Sequence, residues 1–335
     1  MTGNHAQALA LAARTRGIRA YIVMPTISTP SKIAATRGYG ADVIFSGSTS
    51  EEREAVVADV IARTGARLVP PYDHPDIILG QGTMALELEE QFADLLAERP
   101  ELSAHHSQPS HHHHSDDASP RAMNGPHDAV PARLDALLSP CGGGGMLAGV
   151  ATYLSGTGTV VFGAEPSHEA ADDCRRGLAL SPPARIESVK SLTVADGLRT
   201  PVGVIPWTVI SDTEKVRAVY AVSDEQIKAA MRLVLERMKV FVEPSAVVGL
   251  AVALWDEGFR GLVEREGGER GWDVGVVLSG GNTTVEALAG LFGGGGEVGS
   301  DGGGVGGKGD FERKREEGTV GMRGEGVAEV ENVAG

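Results

Sequence analysis

Cysteine is nearly absent: the 335-residue chain holds two, Cys141 and Cys174. Two cysteines make no disulfide framework and fit a reducing compartment. Basic residues are also short, with 30 Lys and Arg against 45 Asp and Glu and a formal charge of −15. Binding along a phosphate backbone needs a basic face, so nucleic acid is not an expected partner. No apolar run approaches the roughly 18 residues that cross a bilayer. The start lacks the basic-then-apolar pattern of a secretory signal. Aromatics make up only 4% of the chain, yet 41% of it is apolar, enough for a core at this length. The expectation is a soluble, acidic, cytoplasmic protein with no membrane partner.

What is present alternates. In residues 1–96, helical runs ("LALAARTRG", "TPSKIAATRGYG", "SEEREAVVADVIARTG", "DIILGQGTMALELEEQFADLLAE") separate short β-type runs ("RAYIVMP", "ADVIFSG", "ARLVPP"). Ser50 reads as the cap of the third helix and Gly65 as its stop. Strands spaced by helices of this length imply βαβ units and a parallel sheet, an α/β fold. Residues 97–131 are polar and proline-rich and hold seven of the ten histidines. The tract "HHHH" can be read as a metal site, but the stretch is expected to be an unfolded insertion that binds nickel or zinc loosely. Alternation resumes over residues 132–290 with strands "LDALLSP", "TVVFGAEP" and "WDVGVVLSGGN". Helices are expected near "ADDCRRGL" and in "SDEQIKAAMRLVLERMKV" and "PSAVVGLAVALWDEG". Residues 291–335 contain 16 glycines among charged residues and are expected to be a disordered tail.

Three constellations carry chemistry. In "LSPCGGGGMLAG", a strand ends in Gly142, Gly143, Gly144 and Gly145, and an apolar helix follows. Without Cβ atoms, such residues let several backbone N–H groups converge on one anion, and the helix adds its positive end. The four-glycine run at 293–296 lacks those flanks, so context rather than glycine count marks the first. Its spacing is neither a Rossmann nor a Walker fingerprint, so the phosphate belongs to another cofactor. In "VVLSGGN", a strand delivers Ser279, Gly280, Gly281 and Asn282 at its carboxyl end, where open α/β sheets place ligands. That stretch reads equally well as a capped strand-to-helix turn. The opening "TGNHAQ" sets a glycine-asparagine-histidine turn before a helix, the form of a phosphate or carboxylate site. On residues alone, "AEPSHEAADDC" is a solvated acidic helix start.

Eight stretches occur together in order: "TGNHAQALALAA", "KIAATRGYGADV", "DHPDIILGQGT", "PCGGGGMLAGV", "FGAEPSHEAADDCRRG", "TVADGL", "ERMKVFVEPSAVVGLAV" and "VLSGGN". They closely resemble the serine racemase and threonine (serine) dehydratase group of pyridoxal-phosphate enzymes, over about residues 2–96 and 132–290. The resemblance implies a two-domain tryptophan-synthase-β-like fold (fold type II). A small α/β domain would span 1–96 and a cofactor-binding domain 132–290. It implies a cofactor phosphate held by Gly142–Gly145 and Met146, Ser279 beside the pyridine nitrogen, and Asn4 on the phenolic oxygen. Gly3, Asn4 and His5 would take the substrate carboxylate. Glu165, the Ala171 carbonyl and Asp173 would hold Mg²⁺ or Ca²⁺, and Gln7, Tyr39, Lys239 and Asn282 would surround ATP as an effector. The implied assembly is a homodimer, and the implied substrates are L-serine, L-threonine and D-serine.

In the same family, the Schiff-base lysine lies upstream of the glycine-asparagine-histidine turn. Lys32, Lys190, Lys215, Lys228 and Lys239 follow other motifs and are not expected to replace it. Thr2 stands at the position acting on the opposite face of the substrate. The expectation is therefore an N-terminally truncated and impaired ammonia-lyase or racemase. The rival is a non-catalytic cofactor-binding remnant or partner subunit of a full-length paralogue; a cysteine-synthase-like replacement enzyme ranks below both.

Overall fold

Each apolar run finds its layer through the period at which it repeats. In a computed structural model, residues 3–105 and 133–293 are described. The chain forms α1 (Asn4–Thr15), β1 (Tyr21–Pro25), α2 (Pro30–Gly38), β2 (Asp42–Ser46) and α3 (Ser50–Thr64). β1 and β2 pair in parallel, from Tyr21 opposite Asp42 to Pro25 opposite Ser46. Their buried Ile22 and Met24 pack on Ala6 and Ala10 of α1. The cap of α3 is Thr49 rather than the expected Ser50. Thr49 accepts from the Glu52 amide, and Glu52 reaches back to the Thr49 amide. The reason is conformational: Thr49 has the extended φ/ψ that a cap needs, while Ser50 already lies in the helix.

The expected strand "ARLVPP" does not form. Pro70 and Pro71 remove two ladder donors, and the Val69 carbonyl accepts from His5 instead of a neighbouring strand. The chain then runs through α4 (Pro75–Glu98), β3 (Ala136–Pro140), α5 (Gly145–Leu154), β4 (Val160–Pro166) and α6 (Asp173–Leu178). It continues with α7 (Val204–Ile210), β5 (Ala218–Val222), α8 (Asp224–Leu233), α9 (Val248–Trp255), α10 (Glu257–Gly267), β6 (Val274–Val276) and α11 (Val285–Phe292). Helices α7, α10 and α11 and strand β5 are additional to the elements that the sequence pattern marks. The helix expected to run through "VLERMKV" widens to a single π turn at Val234–Met238 and stops at Lys239, in the left-handed region at φ +62°.

The larger sheet has the order β5-β4-β3-β6, parallel throughout. All five residues of β3 are buried, as a central strand covered on both faces must be. Alternation along β3 divides the core: Ala136 and Leu138 join α8 and α9 on one face, while Leu137 joins α4 and α5 on the other. Phe162 of β4 is fully buried and meets Phe259 edge-on, ring centres 5.4 Å apart.

Two expected boundaries move. Ser103 donates to Asp273 at 2.7 Å and His105 binds Asp135 at 2.8 Å, so the first residues of the expected insertion are tied to the sheet's amino end. The remaining insertion, with its histidine tract, lies outside the described residues. α11 continues to Phe292, two residues into the expected tail; the tail from residue 294 onward also lies outside the described residues. No helix among the described residues is long and apolar enough to cross a membrane.

Candidate active site

α1 begins without a side-chain cap. Gly3 is its N-cap, no side chain accepts from the first turn, and no acidic residue lies in that turn. The unfilled amides and the helix dipole together favour an anion there. His5 is half-buried, and its Nε2–H donates to the Val69 carbonyl at 3.0 Å. Burial holds its pKa below the ordinary value, the bond to Val69 opposing, so the ring is neutral at pH 7.

Facing this turn is the loop after β3. Gly144 adopts φ +83°, which disfavours any side chain. A Cβ on Gly143 would lie 2.4 Å from the Tyr72 ring, so only a glycine allows that approach. Gly142, Gly143 and Gly144 are buried, and their amides donate to no acceptor among the described residues. Buried N–H groups are nearly always paired, so three adjacent orphans amount to a prepared anion cradle. The first turn of α5 adds its own dipole. On this observation the loop fits a cofactor phosphate.

The third wall is the segment after β6, with Ser279 exposed at its lip. The cleft enclosed has a volume of about 650 Å³, within the roughly 300–1,000 Å³ of small-molecule sites. It opens at the carboxyl ends of parallel strands, the usual ligand position in such sheets. Gly3, Asn4, His5, Gln7, Tyr39, Gly142–Gly145, Met146, Ser279 and Asn282 all line it. Lys239 does not: the π turn before it leaves it exposed, with Nζ bonded to the Glu236 carbonyl. Thr2 lies outside the described residues.

A hydrogen-bond chain joins the walls. Asn282 donates to Asn4 Oδ1 at 2.6 Å, and Asn4 Nδ2 donates to Glu243 at 2.5 Å. Sequence reading missed Glu243. It is 2% exposed, and burial raises its pKa against the opposing bond from Asn4. Its available signal was an acid before a proline at a helix start, in "FVEPSA". Lys32, set aside in the sequence, also lines the cleft. Its stem packs on Gly3, and Nζ pairs with Asp196 at 2.8 Å, joining α2 to a loop of the larger layer.

The residues expected to hold a cation lie behind the loop, not in the cleft. Glu165 is fully buried in β4 and accepts from the Cys174 and Arg175 amides at 3.1 and 2.9 Å. Burial, then the charge of Asp173, pushes its pKa well up. Asp173 is raised to about 6, chiefly by burial, against the Val202 amide. Its Oδ1 is buried with no partner. Ala171 ends the connecting loop, where Glu169 and Ala170 take φ +47° and +60°. Buried acids with an orphaned oxygen fit a cation's ligands better than they fit a packed core.

Residues 1–101 and 126–280 match the family described as pyridoxal-phosphate dependent enzyme. The chain is 36% identical over 296 residues to the L-threo-3-hydroxyaspartate ammonia-lyase of Saccharomyces cerevisiae, covering 88% of this chain and 74% of that one. It resembles the structure of maize serine racemase with 33% identity and a TM-score of 0.68, over 86% of this chain and 73% of the other. It also resembles the processed form of threonine deaminase isoform 2 from Solanum lycopersicum, with 26% identity and a TM-score of 0.64 over 87% and 71% of the two chains.

Proposed function

The chain belongs to the pyridoxal-phosphate-dependent enzymes, and from that premise we propose that it acts on small β-hydroxy amino acids. The reaction is deamination of L-serine or L-threonine to the 2-oxo acid and ammonia, or interconversion of L- and D-serine. In the deamination, the water lost from the β-carbon is taken up again when the resulting imine hydrolyses. One observation carries this reading. The orphaned amides of Gly142–Gly144 and the uncapped start of α1 face a single cleft, giving one anion site for a cofactor phosphate and another for a substrate carboxylate. The similarity to an ammonia-lyase of hydroxyaspartate, itself a β-hydroxy amino acid, supports the same class.

Pyridoxal phosphate, bound there, supplies a sink for the electron pair left at Cα. The chain's own residues bind and orient. Gly142–Gly145 and Met146 hold the phosphate through their amides. Ser279 meets the pyridine nitrogen with a hydroxyl, which does not hold a proton on that nitrogen as a carboxylate would, and this suits β-elimination. Asn4 has one amide hydrogen on Glu243 and a second for the phenolic oxygen. Gly3, Asn4 and His5 orient the substrate carboxylate, and Thr2 is the candidate for proton transfer on the opposite face. Glu165, the Ala171 carbonyl and Asp173 offer oxygen ligands to Mg²⁺ or Ca²⁺. Gln7, Tyr39 and Asn282 are the candidates for contact with ATP as an effector, and Lys239 stands apart from them. The assembly proposed is a homodimer.

The test mixes the purified chain with pyridoxal phosphate, follows the absorption spectrum, then reduces with borohydride and maps any pyridoxyl-lysine by mass spectrometry. L-serine and L-threonine are then supplied while 2-oxo acid, ammonia and D-serine are measured. Cofactor binding is expected, with turnover impaired, since Lys32, Lys190, Lys215, Lys228 and Lys239 all follow other motifs than that of the Schiff-base lysine. Binding without turnover or a reducible adduct would favour the cofactor-holding partner subunit, and no binding would overturn the reading.

A further inference from the structure

Behind the glycine loop, donors of another kind converge. Cys141 directly after β3, Glu165 in β4 and Cys174 in α6 place two Sγ atoms and a carboxylate oxygen within 4.8 Å of one another, all three buried. Asp173 adjoins Cys174 in the chain. It is 1% exposed, its Oδ1 has no partner, and its Oδ2 accepts from the Val202 amide at 3.1 Å. These are the only two cysteines in the 335 residues, contributed by separate elements to one point. A buried acceptor without a partner costs about 1–3 kcal/mol, which a cation would remove.

The chemistry of the donors selects the cation. Magnesium and calcium take oxygen ligands, and thiols add nothing for them. Zinc and its softer congeners take cysteine sulfur together with carboxylate oxygen in four-coordinate sites. We propose that Cys141, Cys174 and Glu165, with Asp173 adjoining them, form a binding site for a thiophilic divalent cation of the zinc class. Binding forms two metal–sulfur bonds and releases two thiol protons to solvent; the Glu165 carboxylate and water complete the shell.

The ion would brace the cofactor cradle. Cys141 precedes Gly142, and the Gly203 amide, one residue past the Asp173-bonded Val202, donates to the Gly143 carbonyl at 3.0 Å. Both sides of the glycine loop would thus be tied to one centre. The inference goes beyond the oxygen-ligand reading of Glu165 and Asp173 and does not rest on the cofactor. The other described group of candidate ligands, His105 with Asp135 and Asp273, differs in kind: it offers no sulfur, and no orphaned carboxylate oxygen adjoins it as Asp173 Oδ1 adjoins the cysteines.

The experiment is a titration of the reduced, chelator-stripped chain with Cd²⁺, following thiolate-to-cadmium charge-transfer absorption in the ultraviolet. Histidines and carboxylates give no such band, so the signal belongs to Cys141 and Cys174. Saturation at one Cd²⁺ per chain, reversal by Zn²⁺ and persistence in excess Mg²⁺ are expected. Cys174→Ala should abolish saturation. If that variant does not fold, X-ray absorption of the zinc-loaded wild type should show two sulfurs at about 2.3 Å. No band after equilibration, half a cadmium per chain, or a zinc shell of nitrogen and oxygen alone would overturn the proposal. Stabilisation by Mg²⁺ or Ca²⁺ without a cadmium band would overturn it too, while leaving the oxygen-ligand reading intact.

Discussion

Replacing Asp173 by asparagine should stabilise the metal-free chain at neutral pH and not in acid. The carboxyl is raised from 3.8 to about 6, burial outweighing its bond from Val202. An acid raised on folding contributes most below its unfolded value, and that contribution is lost as pH climbs through the folded one. The window is therefore from about pH 4 to about pH 6, over which the wild type becomes progressively less stable. The gap between 3.8 and about 6 corresponds to at most about 3 kcal/mol. Asparagine cannot ionise, so Asp173→Asn escapes that loss. Any cost of its buried amide is the same at every pH and cancels between two conditions. Urea unfolding in EDTA near pH 4 and near pH 7.5 measures the difference. The advantage of the variant should grow by up to about 3 kcal/mol from the first to the second. An equal difference at both pH values would refute the reasoning and place the ionised carboxylate in a solvated environment.

Two further substitutions test packing and backbone strain. A Cβ at Gly149 would lie 2.3 Å from the Ile78 carbonyl and 2.8 Å from the Gly82 amide, where α4 and α5 cross on backbone. Gly149→Ala should therefore cost about 3 kcal/mol or more by chemical denaturation. Gly80→Ala, with open space around it on the same α4, should be neutral or gain up to about 1 kcal/mol. Equal effects of the two would refute close backbone packing there. Ala170 holds φ +60°, so Ala170→Gly should raise stability by up to about 1 kcal/mol. A lower unfolding midpoint would refute strain in that loop.

Legibility in the sequence followed range. Helix α3 could be read because its cap and stop lie within 17 residues, and even there the cap fell one residue early. The glycine loop was legible because β3, the loop and α5 are consecutive, so one stretch of chain states strand, loop and helix in order. Strand β5 was missed for the opposite reason. Its five residues become a strand through pairing with β4, and nothing in their own alternation separates them from the loop before. Glu243 shows the limit best. Its bond to Asn4 spans 239 positions, and the bond from Asn282 to Asn4 spans 278. No local pattern encodes such a closure. What "TGNHAQ", "FVEPSA" and "VLSGGN" share is only that each lies beside an element's terminus and lines the same cleft, and a polar residue at an element's terminus has no assigned partner until the sheets assemble. Lys32 obeys the same logic: on its own helix it is a half-exposed lysine, and only the arrival of Asp196 from 164 residues away makes it a wall of the cleft. The residues that carry the family's motifs were therefore readable one by one, and the bonds that hold them together were not.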